Sequence, residues 1–219
     1  MTLRSISEMT NRELVDVIKY DDNASERNRA WELLATKNPT NEQLTYIIRW
    51  CPDGDLKNRA WELLATKNPT NEQLTYIIRW CPDGDLKNRA GELLATKNPT
   101  NEQLTYIMEY CPDGDLKNRA WERLRANLGI VVPVDEEVLI KEIANAVLSR
   151  PGSLKMESWH CGTSHCLAGW ACVLNPIAKE IESKHDTRIA GSAVLPHYAQ
   201  FFYSDNDQVL EILKGVAGK

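Results

Sequence analysis

Residues 40–69 read TNEQLTYIIRWCPDGDLKNRAWELLATKNP, and residues 70–99 repeat those thirty letters with one change, Gly91 in place of Trp61. A third close copy starts at Thr100 and drifts after eight residues, where Met108, Glu109 and Tyr110 replace Ile, Arg and Trp. An older copy at residues 10–39 keeps NREL at its head and NRAWELLATKNP at its tail. Tandem units of this length bury their apolar faces against one another and present an extended surface. The expected fold is therefore mainly α: an αα-hairpin solenoid of four thirty-residue repeats with a small mainly helical C-terminal domain. The repeats span 10–39, 40–69, 70–99 and 100–129 within an array over 1–130, and the second domain covers 131–219.

Within one unit, Leu44, Ile47, Ile48 and Cys51 recur at i, i+3, i+4 and i+7, which sets them on one stripe of a first helix, A. Thr40 with Gln43 three residues later forms the pattern of a capping box. Pro52-Asp53-Gly54-Asp55 is a turn, with either aspartate available to cap a second helix, B, carrying Leu56, Ala60, Leu63 and Leu64. Lys67, Asn68 and Pro69 close it. Two carboxylates leading straight into a helix are too few oxygens for calcium, so the loop is read as a turn and a cap. In length and layout the unit resembles short HEAT-like and leucine-rich-variant solenoids, a resemblance that implies an αα stack and no particular ligand.

Removing the core stripe leaves aromatic ladders: Tyr46, Tyr76, Tyr106; Trp50, Trp80, Tyr110; and Trp31, Trp61, Gly91, Trp121, with Arg49 and Arg79 alongside. Two readings compete. The rings either pack between successive repeats or line a surface that grips a protein, since Trp, Tyr and Arg dominate binding hot spots. Tyr46, Arg49, Trp50, Trp61, Tyr76, Arg79, Trp80, Tyr106, Tyr110 and Trp121 are the candidate partner-binding residues. Because one copy has lost its tryptophan to glycine, Trp61 and its equivalents are expected to be partly exposed.

The net charge is -5, and each perfect unit balances four acidic against four basic residues, so no basic face for nucleic acid is implied. The opening MTLRSISEMTNREL has no apolar core of a signal peptide, and no apolar run is long enough to cross a bilayer. A cytoplasmic protein with no membrane and no nucleic-acid partner is expected. Cys51, Cys81 and Cys111 recur once per repeat and are read as small core residues.

After Ala126 the repeat pattern stops, with Gly129 and Pro133 marking a boundary. Helices are expected from Asp135 to about Ser149, after Asn175-Pro176, and after a cap at Ser204. Between them lies WHCGTSHCLAGW, residues 159–170. It resembles a W-H-C-G-T-x-H-C-x-A-G-W signature found in bacterial and phage proteins, a likeness over 135–216 that implies kinship and no mechanism. Three readings stand beside it. His160, Cys161, His165, Cys166 and Cys172 are candidate zinc ligands, because imidazole and thiolate are what zinc prefers. Cys166, in the first turn of a helix capped by Ser164, is a candidate nucleophile with His160 or His165 as base. In the third, these side chains only pack. No organic cofactor is expected, and enzymatic activity stays open, leaning against.

Overall fold

A computed structural model describes residues 6–130 and 134–218. The expectations that touch residues 1–5 and Pro133 lie outside the described residues. By contacts the chain divides into two compact units, Met1–Lys97 and Asn98–Lys219. This division is thirty-odd residues upstream of the expected boundary near 130, and it groups the fourth repeat with the C-terminal helices.

The first unit holds three αα hairpins: α1 (Asn11–Tyr20) with α2 (Ala24–Thr36), α3 (Asn41–Trp50) with α4 (Gly54–Thr66), and α5 (Asn71–Trp80) with α6 (Gly84–Ala95). Each A helix starts at a complete capping box, Thr10 with Glu13, Thr40 with Gln43, Thr70 with Gln73. Each B helix starts at a side-chain cap, Asn23, Asp53 or Asp83. Of the two aspartates in the turn, it is therefore the first that caps. Asn38 and Asn68 close the B helices at φ of 49° and 50°, a left-handed backbone that asparagine tolerates better than most residues. Their carboxamides accept from the lysine of the following repeat, Lys67 at 2.5 Å and Lys97. One residue thus ends a helix and fixes the register of its neighbour.

The core stripe falls where the spacing put it at Leu44, Ile47, Ile48, Leu56, Ala60 and Leu64, which are fully buried, whereas Leu63 is half-buried. Successive A helices contact one another more extensively than successive B helices. Cys51 and Cys81 are buried and donate across the repeat junction to the carbonyls of Ile18 and Ile48, at 3.5 and 3.6 Å. Burial pushes both thiols above their ordinary pKa.

Trp61 corrects an expectation. It is 4% exposed and Trp31 is 3% exposed, each beneath the guanidinium of the next repeat, Arg89 over Trp61 and Arg59 over Trp31 at 5.5 Å. Helix B packs through a face wide enough to include position 61 beside Leu56, Ala60 and Leu64. Gly91 is itself buried, so losing the indole has not opened that helix to water.

The second unit begins with the fourth hairpin, α7 (Asn101–Tyr110) and α8 (Gly114–Leu128), and continues through α9 (Glu136–Leu148), α10 (Leu167–Leu174), α11 (Pro176–Lys184), α12 (Thr187–Val194) and α13 (Asn206–Ala217). A two-residue hairpin, β1 (His160–Cys161) with β2 (Ser164–His165), precedes α10, and a 3-10 turn spans Ala199–Phe201. Here α12 packs on α7, α8, α10 and α11, while α9 packs on α10 and α13. Gly191 makes the α10–α12 contact close, since a Cβ there would meet the Ala168 Cβ at 2.6 Å. Among the described residues no helix is long and apolar enough to cross a membrane.

Candidate functional site

Two places concentrate chemistry, one in each unit. On the first unit, Lys19, Arg49 and Arg79 occupy one position of successive A helices, with Tyr20, Trp50 and Trp80 beside them. Lys19 Nζ lies 4.4 Å from the Tyr46 ring centroid and 4.9 Å from that of Trp50, and donates to the Tyr46 hydroxyl at 2.8 Å. Arg49 repeats the arrangement one hairpin on: its guanidinium lies 4.3 Å from Trp50 and 5.1 Å from both Tyr76 and Trp80, and it donates to the Tyr76 hydroxyl at 2.8 Å. Arg79 lies 5.0 Å over Trp80. The result is an alternating cation–aromatic stripe across the A face, each contact adding about 0.5–1 kcal/mol at an exposed site.

Despite these contacts the stripe is open. Tyr46 is 40%, Trp50 45% and Trp80 48% exposed, while Arg49, Tyr76 and Arg79 are half-buried. A groove of about 280 Å³ between α3 and α5 is lined by Glu42, Tyr46, Glu72 and Tyr76. Side-chain bonds to the Tyr20 and Tyr46 hydroxyls raise the Lys19 pKa, and Lys19 lowers that of the Tyr46 phenol. The remaining candidates on the ladders are placed differently. Trp61 is buried, Tyr106 is buried, Tyr110 is half-buried with its ring 6.3 Å from that of Tyr106, and the Trp121 indole donates to the Ala193 carbonyl at 3.0 Å. Trp61 and Tyr106, being buried, contribute to no open ladder.

In the second unit, the β1–β2 register pairs His160 with His165, and Gly162 makes the turn at φ 62°. The two Nδ1 atoms are 2.7 Å apart, and His160 Nε2 is 2.8 Å from Glu182 Oε1, which also accepts from the Thr187 hydroxyl at 2.6 Å. In the tautomer that directs the His160 Nε2–H at the carboxylate, the His160 Nδ1 accepts and the His165 Nδ1–H donates. The chain Thr187–Glu182–His160–His165 can hold and shift a proton between two imidazoles. Its far end stands edge-on to Trp170 at 5.0 Å.

Most letters of the signature have structural duties. The Cys166 thiol, not Ser164, caps α10 by accepting from the Gly169 amide at 3.3 Å. Gly169 is required because a Cβ there would lie 2.1 Å from the Trp159 carbonyl oxygen. The Trp170 indole donates to the Ser153 carbonyl at 3.1 Å inside the core. Cys166 is 1% exposed and burial pushes its pKa up to about 11, the reverse of activation; burial also raises Cys172. The histidines expected to serve Cys166 as base bond each other and Glu182 instead. For the zinc candidates, His160 and His165 adjoin, Cys161 is exposed, and Cys166 and Cys172 are buried. Among the described residues no group of three or more His, Cys, Asp or Glu is arranged to hold a metal ion.

Two measurements follow from these placements. At neutral pH a thiol reagent should label one cysteine rapidly, Cys161, and all six after denaturation; a second fast thiol in the native protein would contradict the buried positions. Acidification should also destabilise this unit. Burial, and repulsion from His160, lower the His165 pKa below its ordinary 6.5, so the unfolded chain takes up a proton that the folded chain refuses. Stability is then lost as pH falls through about 6.5. Burial raises the Glu182 pKa, but bonds from Thr187 and His160 outweigh it, so a second loss begins as Glu182 is protonated below its ordinary 4.5. Melting curves of wild type and His165→Gln should converge between pH 7 and pH 5, and parallel curves would contradict the assignment.

Neither protein-family models, curated proteins nor solved structures give a match to this chain.

Proposed function

We propose that the first three repeats bind a protein partner on the A face, with Tyr46, Trp50, Tyr76 and Trp80 as anchors and Lys19, Arg49 and Arg79 as charged contacts. The supporting observation is that Tyr46, Trp50 and Trp80 remain 40–48% exposed while cations hold Tyr46 and both indoles in place. Large rings already immobilised lose little further entropy on binding, which is the condition under which they become hot spots. Trp61 and Tyr106 are buried and are not among the anchors. The test is capture from the native host with the intact chain and with the Trp50→Ala/Trp80→Ala variant. A protein taken by the first and lost by about tenfold or more in the second is expected; equal capture would contradict the reading.

A second reading places chemistry in the second unit, and the observation favouring it is the pairing of exposed His160 with half-buried His165, oriented by Glu182. Zinc at His160 and His165 with a further ligand is the metal form of that reading; protein purified without added zinc and containing less than stoichiometric metal would remove it. We place the chain in the reducing cytoplasm of a bacterial cell, in keeping with its six thiols.

A further inference from the structure

Repeat four shows what an A face accepts. Tyr106 and Glu109 stand where repeat two has Tyr46 and Arg49, and they are 9% and 8% exposed. Their cover is α12. The Arg188 guanidinium lies 3.8 Å from the Tyr106 ring centroid, its Nε donates to Glu109 Oε1 at 2.6 Å, and its Nη1 is 3.8 Å from Glu102 Oε1. A helix thus sits on the tyrosine and directs one charged side chain to position 109. In repeats one to three that position is Lys19, Arg49 or Arg79, the opposite charge. Among the described residues Lys19 and Arg49 have hydroxyls and rings as partners and no carboxylate within ion-pair distance.

Resting on the reading of this face as protein-binding, we propose that α1, α3 and α5 seat an amphipathic helix of the partner whose carboxylates pair with Lys19, Arg49 and Arg79. Packed helices are about 8–10 Å apart, so the three cations recur at roughly that interval. Seven residues of a helix rise about 10 Å and return to the same side, so the partner's acidic residues recur about every seventh position. Its apolar side rests on Tyr46, Trp50 and Trp80. A basic helix of the α12 kind is excluded from these seats by Arg49 and Arg79.

The probe is a synthetic 21-residue amphipathic helix with Leu and Ala on one face and Glu at three positions seven apart, beside a twin with Lys at those positions. Titrated calorimetrically into the full chain, the Glu peptide should bind about tenfold or more tightly than the Lys peptide, less so at high salt. Arg49→Gln/Arg79→Gln should abolish the preference and Arg49→Glu/Arg79→Glu should reverse it. Equal binding of both peptides, binding of neither, or a preference that survives charge reversal would overturn the inference. If capture of the host partner still depends on Trp50 and Trp80 in that event, only the acidic helix falls; if capture is independent of them, the proposed function falls too.

Discussion

Replacing Trp61 by glycine should remove about 3–5 kcal/mol through loss of the buried indole and about 1 kcal/mol more through glycine in a helix interior. The ring is 4% exposed, packs beside Leu56, Ala60 and Leu64, and lies under Arg89. Against ordinary domain stabilities of about 5–15 kcal/mol this is enough to unfold the central hairpin under mild denaturant. Urea unfolding followed by far-UV circular dichroism measures it. A loss under about 1 kcal/mol would mean that the pocket around position 61 collapses freely, as a deletion at an exposed site would.

The second large effect concerns a change that restores the repeat pattern. Glu109→Arg makes the fourth copy more like its neighbours, and such reversions to consensus usually stabilise. Here it should destabilise the second unit by at least the roughly 3–5 kcal/mol typical of breaking a buried ion pair. The side chains of Arg188 and Glu109 are 9% and 1% exposed, and among the described residues Arg188 Nη2 already has no hydrogen-bond partner. A second guanidinium would leave two buried like charges. Glu109→Gln should cost less than Glu109→Arg, and Arg188→Glu added to Glu109→Arg should recover part of the loss, the signature of direct coupling. Equal melting temperatures for wild type and Glu109→Arg would show that α12 does not depend on this pair.

The drift in the fourth copy was visible in the sequence, but its meaning was not. Glu109 deviates because Arg188 of α12 pairs with it, and the spacing of α7 alone holds no record of a partner seventy-nine residues away. The hairpins were legible because their signals are local: apolar periodicity, capping boxes at Thr40 and Thr70, and the Asn-Pro stop at Asn68. At Trp61 the replacement by Gly91 in the next copy points to exposure, whereas burial depends on how widely helix B is enclosed. The helix α12 went unread because four of its eight residues, TRIAGSAV, are small and a fifth is a buried arginine. At the signature, crowded histidines and cysteines suggested ligands; Cys166 is instead a cap and Gly169 a close approach, contacts made with the carbonyl of Trp159 and the amide of α10 that residue type does not announce. The His160–Glu182 bond spans twenty-two residues and had no local signal.

That the A-face stripe binds a partner, and does not serve as core, is tested most directly by measuring stability and partner affinity together in Trp50→Ala/Trp80→Ala. Both indoles are nearly half exposed, so the pair should cost less than about 2 kcal/mol of stability, mostly cation–π contact with Lys19, Arg49 and Arg79, while partner affinity falls by about tenfold or more. A stability loss of about 6 kcal/mol or more, the sum of two deep-core truncations, with affinity unchanged would contradict it.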